Sequence, residues 1–468
     1  MQLIEAMRLD SLPCIAVIGS GGKTTTIFRL ARELIAPSSM IRNYKSVIVT
    51  ATTHMSVDEI NLSDVNFIVE QPKDLQPLYN NIPEGVILIT GKFSNADRTK
   101  GLEENTINRL YEISQEGHIP LIIEADGSRR RPLKAPSVNE PVVPAWVDTV
   151  VVVAGISALG KPLTGQFIHR TDLFSKITGL PLGGLITPEV LLKILTHRRG
   201  SLRNIPNKAH RLLILNQADT LLLQQEANKL APQLLDTYNS VIVASLKPTS
   251  YHNDNKRSIH SDNGRNAIIA AHEYVAGIVL AAGESRRLKQ PKQLLIWRNK
   301  PLIRHITQTA IASRLKPVVV VTGAYDTQVR NAIQDLPISI VYNAKWNSGQ
   351  SSSITSGLNV LPDEIGAVVF LLADQPMVSQ QLINSLIAMH AKTFSSITAP
   401  LVQEQRANPV LFDRRTFQHL LSLTGDTGGR ELFSQFDKTW LPWEDEGILF
   451  DVDKPGDLKR LRELEYPL

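Results

Sequence analysis

At 468 residues the chain exceeds what one hydrophobic core organises, so two or three domains are expected. Its composition, 43% hydrophobic and 20% charged, is that of a folded globular protein, and no apolar run approaches the ~20 residues that span a bilayer. A single cysteine, Cys14, excludes an intrachain disulfide and argues against a thiolate zinc site, while a formal charge of +5 suits anionic small ligands and nucleic acid alike.

In chain order, the first ten residues, MQLIEAMRLD, lack the basic-then-apolar order of a secretory signal, and a cytoplasmic protein is expected. Apolar runs of strand length then alternate with helical patterns, which predicts an α/β protein with a largely parallel sheet. The first-half strands are predicted at Cys14–Ile18, Ser46–Thr50, Val86–Thr90, Pro120–Ala125, Thr149–Ala154, Arg211–Asn216 and Val241–Ser245, with helices such as Thr25–Ile35 and Asn105–Glu116 between them. The polar stretch Lys247–Arg265 reads as an exposed linker. Strands resume at Gly277–Leu280, Pro317–Thr322, Ile338–Tyr342, Ala367–Ala373 and Ile397–Ala399. The expected organisation is a first domain over 1–247, a linker over 248–274 and a second domain over 275–468.

The first strand runs into Gly19-Ser20-Gly21-Gly22-Lys23-Thr24-Thr25-Thr26 and then a helix. Backbone N–H groups and the helix dipole would hold a phosphate there, Lys23 would add a point charge, and Thr24 can ligate Mg²⁺. Val17 stands where the longer G-x-x-x-x-G-K-[ST] loop has its first glycine, so the loop is the shorter G-x-x-G-K-T-T form seen in the Mur ligases. PLIIEADG, residues 120–127, is an apolar strand ending in Glu124 and Asp126, where a magnesium ligand is expected; Asp126 is the chosen candidate. LILNQAD, residues 213–219, resembles the N-K-x-D base-reading motif, with Asn216 and Asp219 in place and Gln217 replacing the lysine. DGSRRRPLKAP, residues 126–136, concentrates positive charge, and His54 in TATTHM is a further candidate contact.

GSGGKTTT, ATTHM, EADGSRRRPLKAP and HRTDLF (residues 169–174) together resemble the YqeC family of selenium-dependent hydroxylase accessory proteins over roughly residues 1–245. The resemblance implies a P-loop-like α/β domain and a step dependent on ATP or GTP in making a selenium- or molybdenum-containing cofactor, in the service of a molybdenum hydroxylase apoenzyme.

The second domain opens on VAGIVLAAGESRRLKQPKQLL, residues 275–295. A strand ends at Leu280 in the small loop Ala281-Ala282-Gly283, with Ser285, Arg286, Arg287 and Lys292 beyond it, a pattern that can wrap a polyphosphate. VVFLLADQP ends a strand at Asp374-Gln375, and FDVDKPGDL places Asp451 and Asp453 near the last residues. Mg²⁺ held by Asp374 and a second aspartate, Asp451 or Asp453, would support nucleotidyl transfer.

LAAGESRRLKQPKQLL, NAKWNSGQSSSITSGL (343–358), LLADQP, RANPVLF (406–412), LTGDTGGREL (423–432) and FDVDKPGDL are similar to the molybdenum cofactor cytidylyltransferase (MocA) family, within the MobA-like nucleotidyltransferases. The resemblance implies a Rossmann-like three-layer α/β/α domain that joins CMP from CTP to Mo-molybdopterin. By position it implies that Gly283, Arg287 and Lys292 bind the triphosphate, that Asp374 and Asp453 hold Mg²⁺, and that Gln375, Gly349, Ser351 and Ser352 line the nucleotide or pterin. Ala282 in LAAG favours CTP over GTP. Two positions depart from the family: Lys289 and Ala407 each stand where glycine is usual. A guanylyl or other nucleotidyltransferase of the same fold, and a non-catalytic cofactor carrier, are the alternatives. Nucleic acid is not expected, because stacking aromatics are sparse near the basic loop.

Overall fold

Strands that are apolar at every position must be covered on both faces, which a parallel sheet between helix layers achieves. The computed structural model of the protein describes residues 1–9, 12–37, 44–247 and 267–463 and divides into two units, Met1–His272 and Glu273–Leu468.

The first unit is built on β1 (Cys14–Gly19), β2 (Ser46–Ala51), β3 (Val65–Ile68), β4 (Gly85–Thr90), β5 (Leu121–Glu124), β6 (Thr149–Gly155), β7 (His210–Asn216), β8 (Ser240–Ala244) and β9 (Ile268–Glu273). They form a nine-stranded sheet in the order β9-β8-β7-β6-β1-β5-β2-β4-β3. Each registered pair from β8 to β3 is parallel. The carboxyl ends of β1, β5, β6 and β7 therefore share one edge, the place where open parallel sheets bind ligands. Helix α1 (Lys23–Leu34) follows β1 directly, and α2 (Glu104–Glu116) precedes β5.

Strand β9 corrects the linker expected over 248–274. Residues 268–273 extend the first unit's sheet beside β8, while 248–266 lie outside the described residues. Ile-Ile-Ala-Ala-His-Glu is short and alanine-rich, a weak strand signal that sheet pairing overrides. Strand β3 escapes the sequence reading for a related reason. It is an edge strand whose side chains alternate between half-buried and exposed.

The second unit holds β10 (Val275–Ala281), β11 (Val318–Thr322), β12 (Ser339–Tyr342), β13 (Ala367–Leu372), β14 (Ile397–Val402), β15 (Gln405–Arg406), β16 (Val410–Asp413) and β17 (Lys438–Pro442). The sheet order is β12-β11-β10-β13-β16-β14-β15, with β17 against β14. The β12-to-β13 half is parallel, and β16 is the antiparallel insert between β13 and β14. Alternate residues of β10 serve opposite faces. Val275, Val279 and Ala281 pack with α3 (Leu302–Ala312), α4 (Asp326–Ile333) and α6 (Gln380–Thr393), while Ala276 and Ile278 pack with α5 (Gln350–Leu358). Two core layers on one sheet make the three-layer, Rossmann-like α/β/α arrangement expected for this half. Burying each such aliphatic side chain stabilises by roughly 1.5–3 kcal/mol, so these two layers dominate over surface ion pairs.

Among the described residues no helix is long and apolar enough to cross a membrane.

Candidate functional site

In the first unit the turn between β1 and α1 is held from three sides. Gly19 donates its N–H to both carboxylate oxygens of Asp126, at 3.1 and 3.0 Å. Asn216, at the end of β7, donates from Nδ2 to the Gly21 carbonyl at 2.8 Å. Gly22 takes φ +126°, and a Cβ there would lie 2.3 Å from Asn216 Nδ2, so only glycine fits the close approach. The lysine that begins α1 folds back: Lys23 Nζ donates to the Gly19 carbonyl at 3.0 Å and faces Glu124 Oε1 at 3.4 Å and Asp126 Oδ1 at 3.3 Å. Burial alone would lower its pKa, but the charges of Asp126 and Glu124 more than reverse this and the net shift is upward. Lys23 is thus a fixed cation at the N-terminus of α1, the end of a helix that favours an anion.

Beyond the turn, buried Lys134 bridges Asp126 Oδ2 at 2.8 Å, the Gly127 carbonyl at 2.7 Å and Glu140 Oε2 at 3.5 Å. Arg170 closes on Glu140 at 2.8 Å and holds its carboxyl below the usual range against the pull of burial. Lys134 and His169 lie on two short strands paired with each other, Leu133–Lys134 and Ile168–His169, which brings the EADGSRRRPLKAP and HRTDLF stretches together. His169 is pushed down to about 4, by burial first and then by the charges of Arg170, Lys134 and Arg129.

A residue the sequence did not single out, Glu59, sits over α1: its Oε1 accepts from the Thr24 hydroxyl at 3.0 Å. Its carboxyl is pushed up to about 8, by loss of water and by the neighbouring Glu124 charge. Glu124 is likewise raised by burial. Its clue in sequence was slight, an acid in VDEINL after the TATTHM turn. Thr25 is half-buried beside Thr24, and His54 is exposed. Asn216 and Asp219 are both committed within the protein. Asn216 Oδ1 accepts from the Leu246 N–H at 2.9 Å, and Asp219 accepts from the Ser245 hydroxyl.

In the second unit the loop after β10 is stapled from below. Gln293, only 2% exposed, donates from Nε2 to the carbonyls of Ala281 at 3.0 Å and Gly283 at 2.8 Å. Ser285, at φ +57°, accepts from the Lys292 N–H at 3.1 Å. Ala282 is buried, whereas Gly283 faces open space, with nothing within 4 Å of where a Cβ would stand. Arg286 pairs with Glu284 at 2.8 Å, and Lys289 adopts φ +53°, the left-handed backbone for which glycine is the easier occupant.

The chain's distant acids converge here. Lys292 Nζ contacts both Asp374 and Asp453, the latter at 2.9 Å, and Arg287 lies 3.6 Å from Asp453. Hydrogen bonding from Lys292 lowers the Asp453 carboxyl, while desolvation and the charges of Asp374 and Asp453 raise Asp451. Gln375 donates to Asp451 at 2.5 Å, leaving its buried Oε1 without a partner. At the start of α5, Gly349 takes φ +110° with the Gly425 carbonyl 2.2 Å from where a Cβ would be, so the turn requires glycine. The Ser351 hydroxyl donates to that same carbonyl at 2.7 Å, and the Ser352 hydroxyl to Gly349 O at 2.8 Å. Buried Asn343 ties Ser352 and Ser353 at 2.8 and 3.0 Å. Gln293 and Asn343 are thus positioning residues that spacing alone did not mark.

The family profile of the YqeC protein matches residues 15–172, and that of the MobA-like NTP transferase domain matches residues 277–439. The chain is 31% identical to the uncharacterized protein YqeC of Escherichia coli over 45% of its own length and 80% of that protein. It is 31% identical to the nicotine blue oxidoreductase of Paenarthrobacter nicotinovorans, over 40% of this chain and 96% of that one, and 30% identical to the purine catabolism protein PucB of Bacillus subtilis with the same coverage. A solved structure of a mycobacterial homologue of Rv0371c, from strain JC1, is 27% identical over 41% of this chain and 96% of that one, with a TM-score of 0.38. The chain belongs to the YqeC family through its first unit and to the MobA-like NTP transferase family through its second.

Proposed function

We propose that the second unit is a molybdenum cofactor cytidylyltransferase, transferring CMP from CTP to Mo-molybdopterin with release of pyrophosphate. The observation that carries it is the convergence of Lys292, Asp374 and Asp453 beside the loop held by Gln293. Asp374 and Asp453 already share one cation, the Lys292 ammonium, so their donor set fits a divalent ion such as Mg²⁺. Bound by those two carboxylates, that ion would offset charge on the triphosphate. Arg287 and Lys292 would bind the phosphates, and the exposed Gly283 leaves them room. The orphaned Gln375 Oε1 would accept from the nucleotide or pterin. The pterin's terminal phosphate oxygen, ionised near neutral pH, attacks the α-phosphorus; that P–O bond forms as the bond to pyrophosphate breaks. No general base is needed, so positioning and charge complementarity supply the rate.

The first unit, on this reading, binds ATP or GTP at Gly19–Thr25 for an accessory step, and the product serves a molybdenum hydroxylase apoenzyme. Anaerobic incubation of the whole protein with CTP and Mo-molybdopterin, followed by mass identification, tests the reading. A cytidine dinucleotide supports it. A guanosine product under GTP competition points to the guanylyl branch. Oxidation or reduction of an added substrate without pyrophosphate release points instead to a redox role of the kind named for the nicotine blue oxidoreductase.

A further inference from the structure

We infer that the first unit holds a divalent cation between Glu59 and Glu124, against the Thr24 hydroxyl, and that Asp126 is not one of its ligands. This rests on the reading of Gly19–Thr25 as a phosphate loop, and assigns the cation that would accompany the phosphate.

Two carboxylate oxygens at this site are buried and have no hydrogen-bond partner, Glu59 Oε2 and Glu124 Oε2. Glu124 is 7% exposed, so bulk solvent barely reaches it. Each acid is oriented through its other oxygen. Glu59 Oε1 takes the Thr24 hydroxyl at 3.0 Å, and Glu124 Oε1 faces Lys23 Nζ at 3.4 Å. A buried carboxyl oxygen without a partner is unfavourable, and a cation placed against both would satisfy the two together while holding the acids ionised.

Asp126 presents the opposite case. Its oxygens receive the Gly19 N–H and Lys134 Nζ, the latter at 2.8 Å, so it acts as a clamp on the loop. Among the described residues no three His, Cys, Asp or Glu side chains form a closed metal cage. Mg²⁺ commonly takes only one or two carboxylates and completes its shell with phosphate oxygens and water. The site is therefore built for a cation that arrives with a phosphate ligand.

The probes are Mn²⁺ and ATP on the full chain. With only glutamate carboxyls carrying ¹³C, electron–nuclear double resonance reads ligation in the first unit alone, because the second unit's proposed ligands are aspartates. The expected result is a ¹³C coupling in the unsubstituted protein that diminishes in Glu59→Gln. Alongside it, Mn²⁺-supported ATP binding should weaken at least tenfold in Glu59→Gln. Absence of any glutamate coupling, while Mn²⁺–ATP is bound in a manner lost on Lys23→Ala, overturns the assignment and leaves the loop reading standing. ATP binding that Lys23→Ala does not alter overturns both. The coupling in the unsubstituted chain decides the matter even where Glu59→Gln fails to fold.

Discussion

Asn216 reaches back 195 positions to donate its side-chain N–H to the carbonyl oxygen of Gly21, at 2.8 Å. The end of one strand thereby fixes the turn at the end of another, two strands away across β6. The carboxamide's other end holds the Leu246 N–H, so both of its polar atoms are spent on positioning.

Asn216→Ala removes both bonds and leaves buried backbone groups unpaired, a loss of roughly 1–3 kcal/mol. Thermal melting of the first unit's transition should register this, and ATP or GTP binding should weaken at least tenfold as the turn loosens. Unchanged melting and binding would contradict the positioning role.

Lys134 and Asp126 form an ion pair at 2.8 Å with side chains 4% and 2% exposed. Lys134→Met leaves Asp126 buried with less than its due of positive charge, and a loss of about 3–5 kcal/mol is expected. Adding Asp126→Asn removes the stranded charge and should restore part of it. A denaturant-unfolding cycle over the four proteins measures the coupling, and strictly additive losses would refute it.

How much of this was legible in the sequence follows from the kind of force at each position. The strands β1, β2, β4, β5, β6, β7 and β8 announced themselves because each is apolar on both faces. Strands β3, β9 and β16 did not: β3 alternates at an edge, β9 is small and short, and β16 is four residues long and depends on antiparallel pairing with β13 and β14. Candidates within motifs stood out for different reasons: glycine spacing marks the turn before Lys23 and Thr24, whereas Lys292 follows a small-residue loop and Asp374 ends an apolar strand. Glu59 did not, since an acid that meets the loop from 35 positions away leaves no local pattern; Gln293 and Asn343 lie inside the motif stretches, but nothing in their spacing marks them as staples.

His169 lies well below an unperturbed histidine, at about 4 against 6.5. Between those values the unfolded chain carries a proton that the folded one refuses. Its contribution is complete above about pH 6.5 and is lost as pH falls toward 4. The fall in urea midpoint from pH 7 to pH 5 should accordingly be smaller in His169→Gln than in the unsubstituted protein. Equal slopes would show that His169 is not held neutral.

Lys292 occupies the cation position between Asp374 and Asp453. Lys292→Ala should lower nucleotidyl transfer by at least a hundredfold through loss of a phosphate contact. It should also tighten Mn²⁺ binding to the nucleotide-free protein, because the ammonium no longer competes for the two carboxylates. Weaker Mn²⁺ binding in Lys292→Ala would place the metal elsewhere.

The central claim is that the second unit transfers a nucleotidyl group at Asp374. Pyrophosphate release from CTP with Mo-molybdopterin, measured for the unsubstituted protein and for Asp374→Asn, tests it most directly. The account predicts pterin-dependent release that falls at least a hundredfold in Asp374→Asn. Release undiminished by that substitution, or none from any nucleoside triphosphate, would contradict it.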